Sequence, residues 1–282
     1  MNASTLFRMA AAASVAVASP ALAQDASAGA DLPFNGVYVG AAGGYDVQPN
    51  DGDSRILFDR NLDGRFDNSV TTAAGANAFS PGFCNGRARG ATPAGGCRND
   101  KDGWSYYGRV GFDSQAGPMV VGIVGEFGKS EINDSVSGYS TTPASYTLTR
   151  SIGWEAAVRG RVGYAANTTL FYGTFGPGYA RIDRDFSTTN TANAFSERGK
   201  RNQFGITAGG GIEQRIGTNF SVGLEYMFHQ YQDDDYRVRA TAGIAPATNP
   251  FILAPNTTGT DFRRSDDKLR WHSMRATAAF RF

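Results

Sequence analysis

The chain has little of what most enzymatic classes need. Its 282 residues include only two histidines, His229 and His272, and two cysteines, Cys84 and Cys97. That leaves few groups for acid–base, nucleophilic or thiolate–metal chemistry. Lysine and arginine total 27 against 26 aspartates and glutamates. With no surplus of positive charge and no basic stripe, nucleic-acid binding is not expected. No segment stays apolar for the roughly 20 residues that a membrane-crossing helix requires, so a helical membrane protein is excluded. A β-barrel is not, because its strands need only about 9–11 residues each and alternate polar with apolar positions.

What is present points to β-structure. The chain holds 36 glycines and 12% aromatic residues, a composition suited to strands, tight turns and narrow interiors. The first residues read as an export signal over 1–23: Arg8 supplies a positive charge, Met9 to Ala18 form a short apolar core, and Ala21-Leu22-Ala23 fits a small-x-small cleavage site. A short periplasmic segment, 24–33, is expected to follow. In an oxidising compartment Cys84 and Cys97 are expected to pair, closing a short loop worth about 3 kcal/mol of stability on chain-entropy grounds.

Eight alternating segments follow, at residues 34–45, 103–113, 118–131, 151–165, 168–182, 201–216, 219–232 and 269–282. Their connections are unequal. Residues 114–117, 166–167 and 217–218 are tight turns, whereas 46–102, 132–150, 183–200 and 233–268 are long, polar and rich in Gly, Asn, Asp and Thr. Short turns on one rim and long loops on the other are the pattern of an outer-membrane barrel with its long loops outside the cell. The expected fold class is therefore all-β: an eight-stranded antiparallel transmembrane β-barrel over 34–282, wound as an up-and-down meander.

Parity within the strands supports this, since side chains alternate faces with period two. Trp104, Tyr106, Val110 and Phe112 share one face, and Ser105, Tyr107, Arg109 and Asp113 the other. The fourth segment sets Ile152, Trp154, Ala156, Val158, Val162 and Tyr164 against Glu155, Arg159 and Arg161. In each such pair one face carries no charge. A soluble barrel would alternate too, with its apolar face inward. Here the charged face is crowded with Gly, Ser, Thr and Ala, leaving room for long Arg and Glu side chains in a narrow lumen. Aromatics also stand at both ends of the apolar face, as Trp104 with Phe112 and Trp154 with Tyr164 do, at the height expected between two membrane interfaces. The first and fifth segments are apolar or glycine-rich on both faces, and their facing is open.

The opening GVYVGAAGGY, the strand endings GRVGF and GRVGYA, FYGTFGPGYA, and the closing alternation Met274, Ala276, Ala278, Phe280, Phe282 resemble the small Gram-negative outer-membrane β-barrel proteins of the porin, opacity-protein and OmpA/OmpX-like type. The resemblance covers essentially the mature chain. It implies an outer-membrane location, an anchoring or surface-antigen role rather than a wide channel, and a terminal strand, Met274 to Phe282, that acts as an assembly signal for the barrel-insertion machinery.

Three sets of residues are candidate sites. Arg109, Arg159, Arg161, Arg215, Arg275 and Arg281 share the lumen face with Glu126, Glu155, Glu213 and Glu225. Buried charges must be paired, so these are expected to form a salt-bridge network that plugs the barrel; a narrow, gated pore is the alternative. In the first long loop, Asp59, Asn61, Asp63 and Asp67 with Gly64 at the sixth position match the start of a calcium loop. Val70 stands where the bidentate glutamate would be, so an ordinary solvated acidic turn is the competing reading. Asp233, Asp234, Asp235, Arg263, Arg264, Asp266, Asp267 and Lys268 fall where lipopolysaccharide head groups would sit, and their cations suit phosphates.

No cofactor is expected beyond that possible calcium ion. His229, on the lumen face beside Glu225, has no convincingly placed serine, and His272 falls on the apolar face; an enzyme is not expected. The sequence thus points to a non-enzymatic outer-membrane protein in contact with outer-membrane lipids and lipopolysaccharide, its extracellular partner unknown. A narrow channel is the alternative, and a lipid-A-modifying or proteolytic barrel a remote one.

Overall fold

The computed structural model describes residues 32–49, 54–254 and 257–282. The expected signal segment, and the following stretch up to residue 31, lie outside the described residues. Eight long strands form the barrel: β1 (Gly36–Val47), β2 (Gly103–Ala116), β3 (Met119–Ser130), β4 (Ala144–Ala166), β5 (Thr169–Thr188), β6 (Asn202–Ile216), β7 (Phe220–Gln232) and β8 (Lys268–Arg281). Each pairs antiparallel with its neighbour in the chain, and β8 pairs with β1 to close the ring. Closure leaves no unpaired edge, the condition for placing a sheet in lipid. The three tight turns each carry one residue in the left-handed region, Gly117 (φ 57°), Asn167 (φ 55°) and Gly217 (φ 65°). Glycine and asparagine adopt that conformation at little cost.

Alternation sorts the side chains as the sequence implies. Trp104, Val110, Phe127, Val158, Val162, Phe175, Leu224, Met274 and Phe280 are exposed on the outer surface, while Arg109, Glu126, Arg159, Arg161, Glu225 and Arg275 are buried inside. The two strands of open parity are now resolved. β1 turns Tyr38, Ala42 and Asp46 inward, and β5 turns Leu170, Tyr172 and Ala180 inward. Small inward residues make room for large ones: a Cβ on Gly111 would lie 2.3 Å from the Tyr38 ring.

Around the long-loop rim the outer aromatics touch in sequence. Ring centroids of Phe127 and Trp154, Trp154 and Tyr179, and Tyr179 and Phe204 lie 6.0, 5.8 and 4.7 Å apart. Tyr226 and Phe228 flank His272 on the far side. Phe112, Tyr164, Phe171, Phe220 and Phe280 stand exposed towards the opposite rim. Two aromatic girdles with an apolar band between them are the signature of a lipid-facing surface.

Two expectations are corrected. Ile152 does not share the outer face of Trp154; it is 2% exposed and points inward. The ladder pairs Arg181 with Trp154 but Ile182 with Ile152, so Gly153 is an extra residue, and this β-bulge reverses the parity of everything above it on β4. The second correction concerns the loops. β4 and β5 run on well past the girdle, and the chain adds Gly82–Asn85 and Asn133–Ser140 to the extended β4–β5 sheet. Ala194–Arg198, Arg237–Thr241, Thr260–Arg264 and Ile56–Asp59 form a second, four-stranded sheet. Between the two sheets lies an apolar core that includes Phe58, Phe79, Val136, Tyr146, Leu148, Val238, Phe251 and Phe262. The loops thus fold into a cap with a core of its own. Cys84 and Cys97 are joined by a disulfide within it.

Facing can be tested by fluorescence in bilayers of brominated lipid. Trp104 is 64% exposed on the outer surface and Trp271 is fully buried inside. A Trp104→Phe/Trp154→Phe variant is expected to keep an emission that brominated chains do not quench; strong quenching of that variant would show the faces to be reversed. In the cap, Phe262→Ala is expected to cost about 3–5 kcal/mol, as for other buried aromatics. Limited proteolysis should then cleave the cap strands while the barrel persists.

Candidate functional site: a sealed lumen and a folded cap

Five layers of side chains fill the interior from the short-turn end upward. At the base Phe34, Val120, Ala165, Leu170 and Tyr172 form an apolar floor. Above it, Arg161 and Arg281 meet Asp113 and Glu213. Arg161 Nη1 lies 3.0 Å from Asp113, Arg281 Nη2 lies 2.9 Å from Asp113 and 2.8 Å from Glu213, and Arg161 also pairs with Glu213. The Arg161 guanidinium sits 3.8 Å from the centre of the Tyr172 ring.

The next layer centres on Glu126 and Glu225. Arg159 and Arg275 approach Glu126 at 3.0 and 2.7 Å, and Arg109 and Tyr172 bond Glu225 at 3.0 and 2.7 Å. Beside them His229 bonds Glu155 through Nδ1 at 2.7 Å and meets Arg275 through Nε2 at 2.6 Å. Since Arg275 can only donate, Nε2 accepts and the ring proton sits on Nδ1, directed at Glu155. Asp46 accepts from Ser105 at 2.7 Å and from Ser273. In these two layers Arg109, Arg159, Arg161, Arg275 and Arg281 face Asp113, Glu126, Glu155, Glu213 and Glu225, one carboxylate for each guanidinium, and Asp46 adds a sixth carboxylate held by the two serine hydroxyls. Such pairing offsets the several kcal/mol that each ion loses on leaving water.

A fourth layer is apolar and aromatic. His229 stacks on Trp271 at 4.6 Å, and Trp271 on Tyr231 at 5.6 Å. Ile132, Ile152, Ala180, Ile182 and Leu269 pack around them. The fifth layer, at the base of the cap, is ionic again. Arg150 bonds Asp134 and Asp233 at 2.7 and 2.9 Å, and also Asp266. Arg264 bonds Asp134 at 2.6 Å and Asp266 at 3.0 Å, and Arg184 lies 2.5 Å from Asp233.

Several expected residues lie elsewhere. Arg215 is outside the ion network: its guanidinium donates to the carbonyls of Pro33 and Thr218 at the short-turn rim. His229 partners Glu155 rather than Glu225. Asp233, Arg264 and Asp266 point into the fifth layer instead of towards head groups, whereas Arg263 stays on the outer face of the cap. In the acidic turn, Asp59 accepts the N–H groups of Asp63 and Gly64 at 3.1 and 2.9 Å, and Asp63 accepts from Arg65 and Asn61 at 2.8 and 3.1 Å. Among the described residues no group of three or more His, Cys, Asp or Glu is arranged to hold a metal ion. The chemistry there is that of a hydrogen-bonded turn, and the calcium expectation gains nothing from it. Met274, Ala276 and Phe280 face outward along β8, with Ala278 on the same parity and Phe282 exposed just beyond it.

The outer face of the four-stranded cap sheet carries arginines side by side. Arg198 is paired with Arg237 across adjacent strands, and Arg263 occupies the next register position beyond the paired Val238 and Phe262. The ring of Phe66 lies against both Arg237 and Arg263, at 5.8 and 4.6 Å. Like charges placed opposite one another weaken a sheet. Asp261 takes Arg198 and Arg239 as partners, so it offsets only part of this charge.

No protein-family model matches the sequence. The structure is similar to that of Ail, the attachment invasion locus protein of Yersinia pestis, solved with the heparin analogue sucrose octasulfate; the TM-score is 0.33 and the identity 11%, over 88% of this chain and 99% of that one. A 22 kDa outer membrane protein of Rhizobium leguminosarum is 34% identical over 142 residues, 49% of this chain and 58% of its own. The 31 kDa outer-membrane immunogenic protein of Brucella melitensis is 29% identical over 111 residues (39% and 46%), and the 25 kDa outer-membrane immunogenic protein of Brucella abortus 27% over 140 (50% and 58%). The closed ring, its lipid-facing band and the Rhizobium and Brucella relatives agree. The protein is a β-barrel of the Gram-negative outer membrane. The chain spans about half the length of the relatives it matches.

The base of this outer-membrane barrel's cap is sensitive to pH. Burial would raise Asp134, but Arg150 and Arg264 outweigh it and hold the carboxyl at about 2. Burial and the neighbouring Asp134 carboxylate push Asp100 up to about 6, against the N–H it accepts from Ser135. The contribution of Asp134 is present above the ordinary carboxylate range and lost as pH falls towards 2. That of Asp100, whose protonated form the cap favours, is present below that range and lost as pH rises through 6. After correction for intrinsic rates, amides of Asn133–Ser140 are expected to exchange faster at about pH 7 than at about pH 5, and Asp100→Asn to remove the difference. An unchanged profile in the variant would refute this assignment.

Proposed function

We infer that the protein is a non-enzymatic anchor that holds a folded cap at the cell surface and grips phosphate-bearing head groups of the outer leaflet. The observation that carries this reading is the filled lumen. Two ionic layers, an aromatic layer and a third ionic layer lie in series, so an ion crossing the barrel would have to break each in turn. The two histidines support the absence of catalysis: His229 is fully buried with both ring nitrogens engaged, and His272 bonds Tyr226 on the lipid-facing surface at 2.6 Å. What remains accessible is the cap, the surface through which this chain would meet antibodies, as the names of its Brucella relatives suggest for them.

The lateral arginines support the lipid contact. Arg198, Arg237 and Arg263 lie at the ends of the cap strands nearest β6, β7 and β8, just above the girdle of Phe204, Tyr226 and His272, and Arg270 is exposed between the two levels. Guanidiniums at that height suit lipopolysaccharide phosphates. The outward residues of β8 from Met274 to Phe282 suit recognition by the insertion machinery.

Purified protein in planar bilayers is expected to be electrically silent, and steady unit conductances would overturn the anchor reading in favour of a narrow pore. Arg237→Gln/Arg263→Gln is expected to lower co-purifying lipopolysaccharide phosphate about tenfold, roughly 1.4 kcal/mol, without loss of the folded band on unheated gels. Unchanged phosphate would remove the lipid contact from this face.

A further inference from the structure

The tip of the cap, at the end farthest from the membrane, holds a cleft of about 210 Å³. Its floor rests on Phe79, Tyr146 and Phe251, rings of the cap core that are buried against one another at centroid distances of 5.3, 5.5 and 5.9 Å, and Pro143, Pro250 and Ala192 supply its open apolar lining. Thr141, Thr142 and Thr191 stand exposed at its mouth. No Arg, Lys, Asp or Glu lines it, although charged side chains crowd the rest of the cap.

The walls are held in place by three asparagines that bind one another. Asn190 donates from Nδ2 to the Tyr146 hydroxyl and to Asn193 Oδ1, both at 2.9 Å, and accepts the N–H of Ala192 at 2.8 Å. Asn193 donates to the Thr241 carbonyl at 2.9 Å and to Asn249 Oδ1 at 3.2 Å. Asn249 in turn accepts the N–H of Phe251 at 3.0 Å and donates to Asn193 at 3.0 Å. A cleft fixed in this way loses little conformational freedom when it is filled.

The lining selects a class of ligand. An ion would leave water for a cleft that offers no countercharge. A purely apolar molecule would cover the threonine hydroxyls and leave them unpaired. A pyranose has an apolar C–H face for Pro143, Pro250 and Ala192, the open apolar lining above the buried rings, and a hydroxyl rim for the threonines, and the volume suits one ring. We propose that this cleft binds a single neutral sugar residue, a hexose or N-acetylhexosamine at the end of a surface glycan. The proposal rests on the reading that the cap faces out of the cell.

The test uses the whole protein in lipid nanodiscs and methyl glycosides of glucose, galactose, mannose, N-acetylglucosamine and N-acetylgalactosamine, with methyl glucuronide as the charged comparison. Saturation-transfer NMR is expected to show saturable binding of at least one neutral glycoside with a Kd on the order of 1 mM, weakened about tenfold or more by Ala192→Trp, which fills the cleft. Because that change could disturb the tip, Thr141→Val/Thr142→Val, which removes only hydroxyls, should weaken binding in the same direction. No binding by any neutral glycoside, equal binding by both variants, or tighter binding of the glucuronide would each overturn the proposal. Nanodiscs expose both faces, so this result does not depend on orientation. Protease cleavage of the cap on intact cells tests orientation separately.

Discussion

The structure depends on the pairing of guanidinium with carboxylate inside a tube too narrow for bulk water. Eight strands enclose only enough space for side chains, and the outward positions between the girdles are committed to lipid, so the charged residues at that height must find their partners inward. The barrel answers by stacking charges in neutral sets. Arg161 and Arg281 face Asp113 and Glu213, and Arg109, Arg159 and Arg275 face Glu126, Glu225 and Glu155. Removing one partner would leave a buried ion uncompensated, at a cost of about 3–5 kcal/mol. The glycines and small residues between the arginines follow from the same crowding.

That constraint also accounts for what could be read from the residues alone. The eight strands, their tight turns and the inward charged face were legible, because period-two alternation records which solvent each face meets. Identity of partners was not. Parity places Glu155, Glu225 and His229 on one wall, but which of them touch depends on strand stagger and on the cross-barrel reach of each side chain. Arg215 shows the limit: its parity is right, yet it stands at the rim, where carbonyls are closer than any acid. Gly153 was equally hidden, since one inserted residue in an apolar stretch alters no pattern until its neighbour's register is known.

The cap was the least legible part. Its strands are four to eight residues long and its core residues, such as Phe58, Phe79, Val238 and Phe262, are scattered through segments dominated by Gly, Asn, Asp and Thr. Composition of that kind resembles solvated loop. What rescues it energetically is proximity: the barrel rim already holds the ends of all four loops, so the entropy of bringing distant segments together is largely met before the aromatic core forms. Arg150, Asp134 and Arg264 were assigned to loops for the same reason, though they seal the junction.

β4 and β5 both run from the membrane into the cap, paired from Thr169 with Ala166 up to Thr188 with Tyr146 except at Gly176–Pro177 and at the Gly153 bulge. Tension applied at the tip is therefore directed along a ladder anchored in the bilayer at its other end. Rows of hydrogen bonds loaded lengthwise share the force and break together, whereas a hinged loop would peel one bond at a time. Barrel and cap are in this respect one continuous β-structure, joined by a ladder and not by a hinge.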